Sequence, residues 1–132
     1  MRSIFINLAI FILCIGFSCK KAQTVNYFGG QLEIFPDYSN VVIPPNIAPF
    51  NFDIIGESGK YKVRFIARND SFEISCNNKV NIPAEKWEKI LTGNTGKELK
   101  IRIFADKGKY LEQYGDLSLF IAAEPVDGDD AV

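Results

Sequence analysis

Histidine is absent from the chain. That absence removes serine–histidine and cysteine–histidine nucleophile pairs, histidine-ligated zinc and histidine-ligated haem together. An excess of positive charge is also lacking: 15 Lys and Arg stand against 16 Asp and Glu, so nothing favours a general affinity for nucleic acid. Cysteine is scarce, with three residues at Cys14, Cys19 and Cys76. No apolar stretch is long enough for a membrane helix, and the one N-terminal run is short for one. What remains is a single-domain length of 132 residues, rich in Phe and Tyr.

The start reads as an export signal. "MRSIFINLAIFILCIGFSC" has a basic Arg2 and then an apolar run from Ile4 to Phe17, broken only by Asn7, Cys14 and Gly16. Small Ser18 before Cys19 resembles a bacterial lipobox, although Gly16 and Phe17 depart from its usual residues. Cleavage between Ser18 and Cys19 would leave Cys19 acylated at the new N-terminus. The plainer reading is a soluble secreted protein with an incidental cysteine, and the tether-like "CKKAQ" favours the lipoprotein. With Cys14 removed and Cys19 acylated, Cys76 has no disulfide partner. Its place in "FEISC", on the side of Phe72 and Ile74, suits a buried, unreactive thiol.

Residues 1–18 are therefore expected to be the signal peptide, 19–30 a lipidated tether, 31–123 the folded domain and 124–132 an acidic disordered tail. Within the domain, period-2 alternation dominates. It runs through "QLEIF", "FNFDII", "YKVRFIAR", "SFEISC", "ELKIRIFA" and "DLSLFIA", each with one apolar and one polar face. Glycine- and asparagine-rich turns separate these runs. "PAEKWEKIL" (83–91) breaks the rhythm with Trp87 and Leu91 at helical spacing and predicts one short helix. The sum is an all-β fold, an immunoglobulin-like antiparallel sandwich with one helix. Pro44, Pro45 and Pro49 suit an extended crossing between sheets, because proline cannot donate to a ladder.

Chemistry-bearing motifs are few. "GESGKY" and "TGNTGKE" lack the early glycine and the following Ser or Thr of a phosphate loop, and read as hairpin turns. Paired carboxylates could hydrolyse glycosides without histidine. Asp53, Glu57, Glu73, Glu98, Asp106, Glu112 and Asp116 fall instead on predicted solvent faces and loop tips. No catalytic residue, metal ligand or cofactor site is expected. The outward aromatics Phe35, Phe104 and Phe120 either pack under loops or offer a protein- or sugar-binding surface.

The stretch "FPDYSNVVIPPNIAPFNFDI" resembles the opening of exported Bacteroidetes lipoproteins with a "PDY-x-x-V-x-IP-x-NIAP-x-NF" signature. Pro36, Asp37, Tyr38, Val41, Ile43, Pro44, Asn46, Ile47, Ala48, Pro49, Asn51 and Phe52 match it in order. "I-x-x-EP" at Ile121–Pro125 also fits, and "W-x-x-L" at Trp87–Ile90 fits in part. In that family the module precedes a TolB-like β-propeller, often with C-x-x-C-H haem-attachment motifs. This chain reads "EPVDGDDAV" where the propeller would begin, and it holds no C-x-x-C-H. Propeller and haem properties therefore do not carry over.

The resemblance implies a front module, free-standing or the shortened part of a longer propeller protein. It would be lipid-anchored through Cys19 and would serve as a protein-interaction or accessory module without enzymatic activity. Its partners would be the membrane and an envelope protein, not nucleic acid. Basic residues after Cys19 favour the periplasmic side of the outer membrane over the cell surface. The alternative function is a carbohydrate-binding accessory lipoprotein.

Overall fold

The computed structural model describes residues 23–125. The signal peptide, Ser18, Cys19 and most of the acidic tail lie outside these residues. Two sheets and one helix make up the domain. The strands are β1 (Thr24–Tyr27), β2 (Glu33–Phe35), β3 (Val42–Ile43), β4 (Phe52–Ile55), β5 (Lys60–Ile66), β6 (Ser71–Cys76), β7 (Lys79–Val80), β8 (Glu98–Asp106), β9 (Tyr110–Gln113) and β10 (Leu117–Ile121), with helix α1 at Ala84–Thr92. The smaller sheet has the order β2-β4-β7 and is antiparallel.

The larger sheet is built on β8. On one side β8 pairs antiparallel with β5, which pairs with β6. On the other side its second half meets β9 and its first half meets β10. Gln113 lies opposite Phe104 and Leu117 opposite Ile101, so three residues, Tyr114 to Asp116, face two on β8. This bulge lets one returning chain supply two strands.

The N-terminal part of the domain serves both sheets in turn. β1 runs parallel to β9, β2 joins the small sheet, and β3 runs parallel to β10. The result is an all-β sandwich of two sheets whose first segment alternates between them. Two of its pairings are thus parallel, where the alternation pattern led to an antiparallel expectation. Parallel pairing is available because β1 and β3 are joined to β9 and β10 by long stretches of chain and not by hairpins.

Pro44, Pro45 and Pro49 occupy the crossing from β3 in the large sheet to β4 in the small one. Pro44 O still accepts from Ile47 N at 3.3 Å, a local turn that replaces ladder bonds. The Phe35–Pro36 peptide before it is cis.

Alternation places Tyr61, Val63 and Phe65 of β5 and Leu99, Ile101 and Ile103 of β8 in the core between the sheets. Facing them are Ile34, Phe52, Ile54 and Val80. Helix α1 covers the core with Trp87, Ile90 and Leu91. Pro83 is its N-cap, in extended conformation, so the proline precedes the first turn instead of lying within it. Gly93 ends the helix, its N–H donating to Lys89 O at 3.1 Å.

Asn94, fully buried just beyond, completes the joint. Its side-chain amide donates to Ile90 O at 2.8 Å, and its oxygen accepts from Asn69 N at 2.9 Å. A buried amide with both ends satisfied ties the helix to the β5–β6 turn.

The tether expected over 19–30 differs from the structure, because residues 24–27 form β1 and the folded domain begins before residue 31. All four side chains of β1 are exposed, so the strand has no alternation to mark it.

Trp87 is the keystone of the apolar packing. Its ring meets Phe50 edge-on at 4.8 Å and Phe65 at 6.2 Å, while Nε1 donates to Ile47 O at 3.1 Å. It therefore fastens the proline crossing to the core. Trp87→Ala should lower stability by about 3–5 kcal/mol, the usual cost of removing a buried large aromatic. Urea unfolding followed by circular dichroism measures this. Trp87→Phe, which keeps a ring in place, should lose much less.

Candidate functional site

The outer face of the large sheet carries charge. Lys62 and Arg64 of β5 and Lys100 and Arg102 of β8 point away from the core by alternation. Several cations are matched. Arg64 Nη2 meets Glu73 at 2.8 Å. Arg102 holds Asp116 by two bonds, Nε to Oδ1 at 2.8 Å and Nη2 to Oδ2 at 2.9 Å. The bulge at 114–116 is what brings Asp116 across from Arg102. This two-point hydrogen bonding lowers the Asp116 carboxyl below the ordinary range, against a smaller opposing effect of burial. It likewise raises Arg102.

Gln23 reaches over the same sheet at the far end of β8. Its amide donates to Asp106 Oδ1 at 3.0 Å and Gly108 O at 2.9 Å, and its oxygen accepts from Lys62 Nζ at 3.3 Å. Asp106 is lowered first by the Gly108 N–H and then by the Gln23 amide.

Two carboxylates come close together at one place. Glu57 and Glu112 both lie on Lys107 Nζ, at 3.5 and 3.9 Å. Glu112, and then Glu57, raise the lysine, against some loss of hydration. Tyr114 Oη donates to Glu112 at 3.4 Å, and burial, then Glu112, raise the phenol. The Lys107 ammonium thus lies between the two acids. Elsewhere the acids named from sequence are dispersed: Glu73 on Arg64, Asp116 on Arg102, and Asp53 across from Lys79. Among the described residues no group of three or more acidic or cysteine side chains is placed to hold a metal ion.

The three aromatics expected to face outward separate. Phe104 is buried, although alternation puts it on the outer face. The Arg64 guanidinium lies 5.1 Å from its ring centre, and Lys62 and Gln113 are its cross-strand neighbours. Long cationic stems form a second layer that sequence alternation does not register. Phe35 and Phe120 remain exposed but belong to different sheets. Cys76 is half-buried and burial raises its thiol, as suits an unreactive residue.

The structure adds a partner for Phe120. Val42 on β3 is its register neighbour; Val42 is 67% exposed and Phe120 44%. With Val41, Leu119 and Asn40 they line an open hollow of about 290 Å³. A second hollow lined by Phe120 is bounded by Arg68, Lys97 and Lys100, and Glu98, opposite Phe120 on β8, lines both hollows. The apolar centre thus has three cations and one acid beside it, at the end of the sheet opposite Gln23.

Further exposed apolar residues are Phe35 and Ile55 on the small sheet, and Val25, Tyr27 and Phe28 on and after β1. Of these, sequence reasoning named Phe35 and Phe120. Val42 was missed because its parallel pairing to residue 120 leaves no local signal. Tyr27 and Phe28 were missed because they fell in the expected tether. No helix of the described residues is long and apolar enough to cross a membrane. Comparison with protein families, with curated proteins and with solved structures found no match to this chain.

The Arg102–Asp116 pair makes a pH prediction. A carboxyl lowered in the folded state contributes stability above its unfolded pKa, about 3.9, and loses it as pH falls through the folded value. Asp116→Asn should therefore cost about 1 kcal/mol at pH 7, the scale of a two-point, partly buried ion pair. The difference from wild type should shrink below pH 4. Urea titrations at pH 7 and pH 3 measure both, and an unchanged gap at pH 3 would count against the assignment.

Proposed function

We propose that this domain is a lipid-anchored, exported accessory module that binds another envelope protein and catalyses no reaction. The observation that carries the reading is the Val42–Phe120 pair at the free edge of the large sheet. Exposed apolar residues joined across an edge, with hollows on both sides, suit a protein partner better than solvent. Arg68, Lys97 and Lys100 outnumber Glu98 beside them, which favours a partner that presents carboxylates around an apolar side chain. Cys19 is proposed as the acylated residue and Ser18–Cys19 as the cleavage site.

Resemblance to the front module of TolB-like lipoproteins supports the envelope location, on the periplasmic side of the outer membrane. A longer propeller protein is one source of such a module. The carbohydrate-binding alternative has one specific support: Phe35 stands over a shallow hollow with Asn51, Asp53, Lys79 and Asn81, an aromatic ring among polar groups. A glycan screen in which Phe35→Ala abolishes binding would favour it over the protein partner.

Two measurements test the main reading. Cys19→Ala should abolish metabolic fatty-acid labelling and move the chain from the membrane to the soluble fraction. A photo-crosslinking residue at position 42 or 120 should join the same protein in intact cells, and one at position 86 should not. With the crosslinker at position 120, Val42→Asp should remove the adduct, and with it at position 42, Phe120→Asp should do the same. Position-independent crosslinking would sink the docking assignment.

A further inference from the structure

The geometry points to a membrane-contacting surface: we propose that the β1 edge and the adjoining β8–β9 turn lie in the headgroup layer of an anionic bilayer. This rests on acylation of Cys19 and specifies how the anchored domain would sit. Gln23 is fastened to Asp106, Gly108 and Lys62 at the end of the large sheet. Four residue steps separate it from Cys19, a reach of about 14 Å at full extension. A lipid on Cys19 would therefore hold this end of the sheet at the bilayer surface.

The residues found there suit that position. β1 pairs with β9 on one side only and is the outermost strand. Free edges facing water usually carry charge or proline; β1 reads TVNY and carries neither. Tyr27 and the next residue, Phe28, are 69% and 62% exposed, and Val25 on the same strand is also open. Aromatic rings with one apolar face are favoured in the headgroup layer. Around the end of β8, Lys60 and Lys109 are exposed, Lys60 across from Asp106, while Lys107 is held between Glu57 and Glu112. The ammonium groups of Lys60 and Lys109 complement lipid phosphate. Lys109 is in none of the ion pairs found among the described residues.

The opposite end differs. β8 spans nine residues, with Asp106 near Gln23 and Glu98 across from Phe120. At strand rise the two ends are about 27 Å apart.

The test uses the full mature chain purified from membranes, with the acyl group on Cys19 checked by mass spectrometry. It is reconstituted in vesicles of phosphatidylethanolamine and phosphatidylglycerol. Nitroxides are placed one at a time through Tyr27→Cys, Lys109→Cys, Lys86→Cys or Arg68→Cys, each with Cys76→Ser. On reconstitution, labels at 27 and 109 should lose accessibility to a water-soluble nickel reagent and gain it to oxygen. Labels at 86 and 68 should not change. Lys60→Glu with Lys109→Glu should reduce the protection at 27. If Tyr27→Cys disturbs the circular dichroism spectrum, Phe28→Cys replaces it as reporter. An acylated chain whose labels at 27 and 109 stay as open to nickel as that at 86 overturns the membrane surface alone. A chain without the acyl group overturns the lipoprotein reading and this inference with it.

Discussion

Strand β8 holds the architecture together because it must satisfy neighbours on both edges and the core at once. β5 covers one edge along almost its whole length, and β9 and β10 share the other. Its inward residues Leu99, Ile101 and Ile103 are almost completely buried. β10 and β9 in turn provide the edges on which β3 and β1 lie. Losing the register of β8 would therefore release β5, β9 and β10, with β6, β1 and β3 behind them, and both proposed surfaces. A one-residue slip would also turn its apolar face to water.

The bulge at Tyr114–Asp116 is the local answer to that demand. One extra residue changes the register between β9 and β10, and it places Asp116 where Arg102 can hold it by two bonds. The ion pair thus lies at the point where the ladder is interrupted, and it restores some of the order lost there. Trp87 does similar work on the other side of the molecule, where the proline crossing has few ladder bonds of its own.

The fold was readable where strands were long enough to alternate. β5, β6, β8 and β10 announce themselves through apolar residues at every second position, and α1 through Trp87, Ile90 and Leu91. β3 and β7 have two residues each, too few to show any period. β1 lies at an edge with every side chain exposed, so it reads as a tether although its backbone is paired. Phe104 shows the converse limit: alternation finds its face correctly, yet Arg64 covers that face. The candidate docking surface was half legible. Phe120 stood out as an outward aromatic, but its neighbour Val42 is supplied by a segment far away in sequence, and that pairing follows from the sheet crossing.

Parallel pairing of early strands with late ones has a kinetic side. β1 and β3 find their places only against β9 and β10, the last strands of the domain. Loop closure over so much intervening chain is slow and comes late in folding. A nascent polypeptide that has not yet reached Ile121 cannot complete either ladder. It remains open and threadable throughout synthesis, and becomes a resistant body only once its final strand has been delivered.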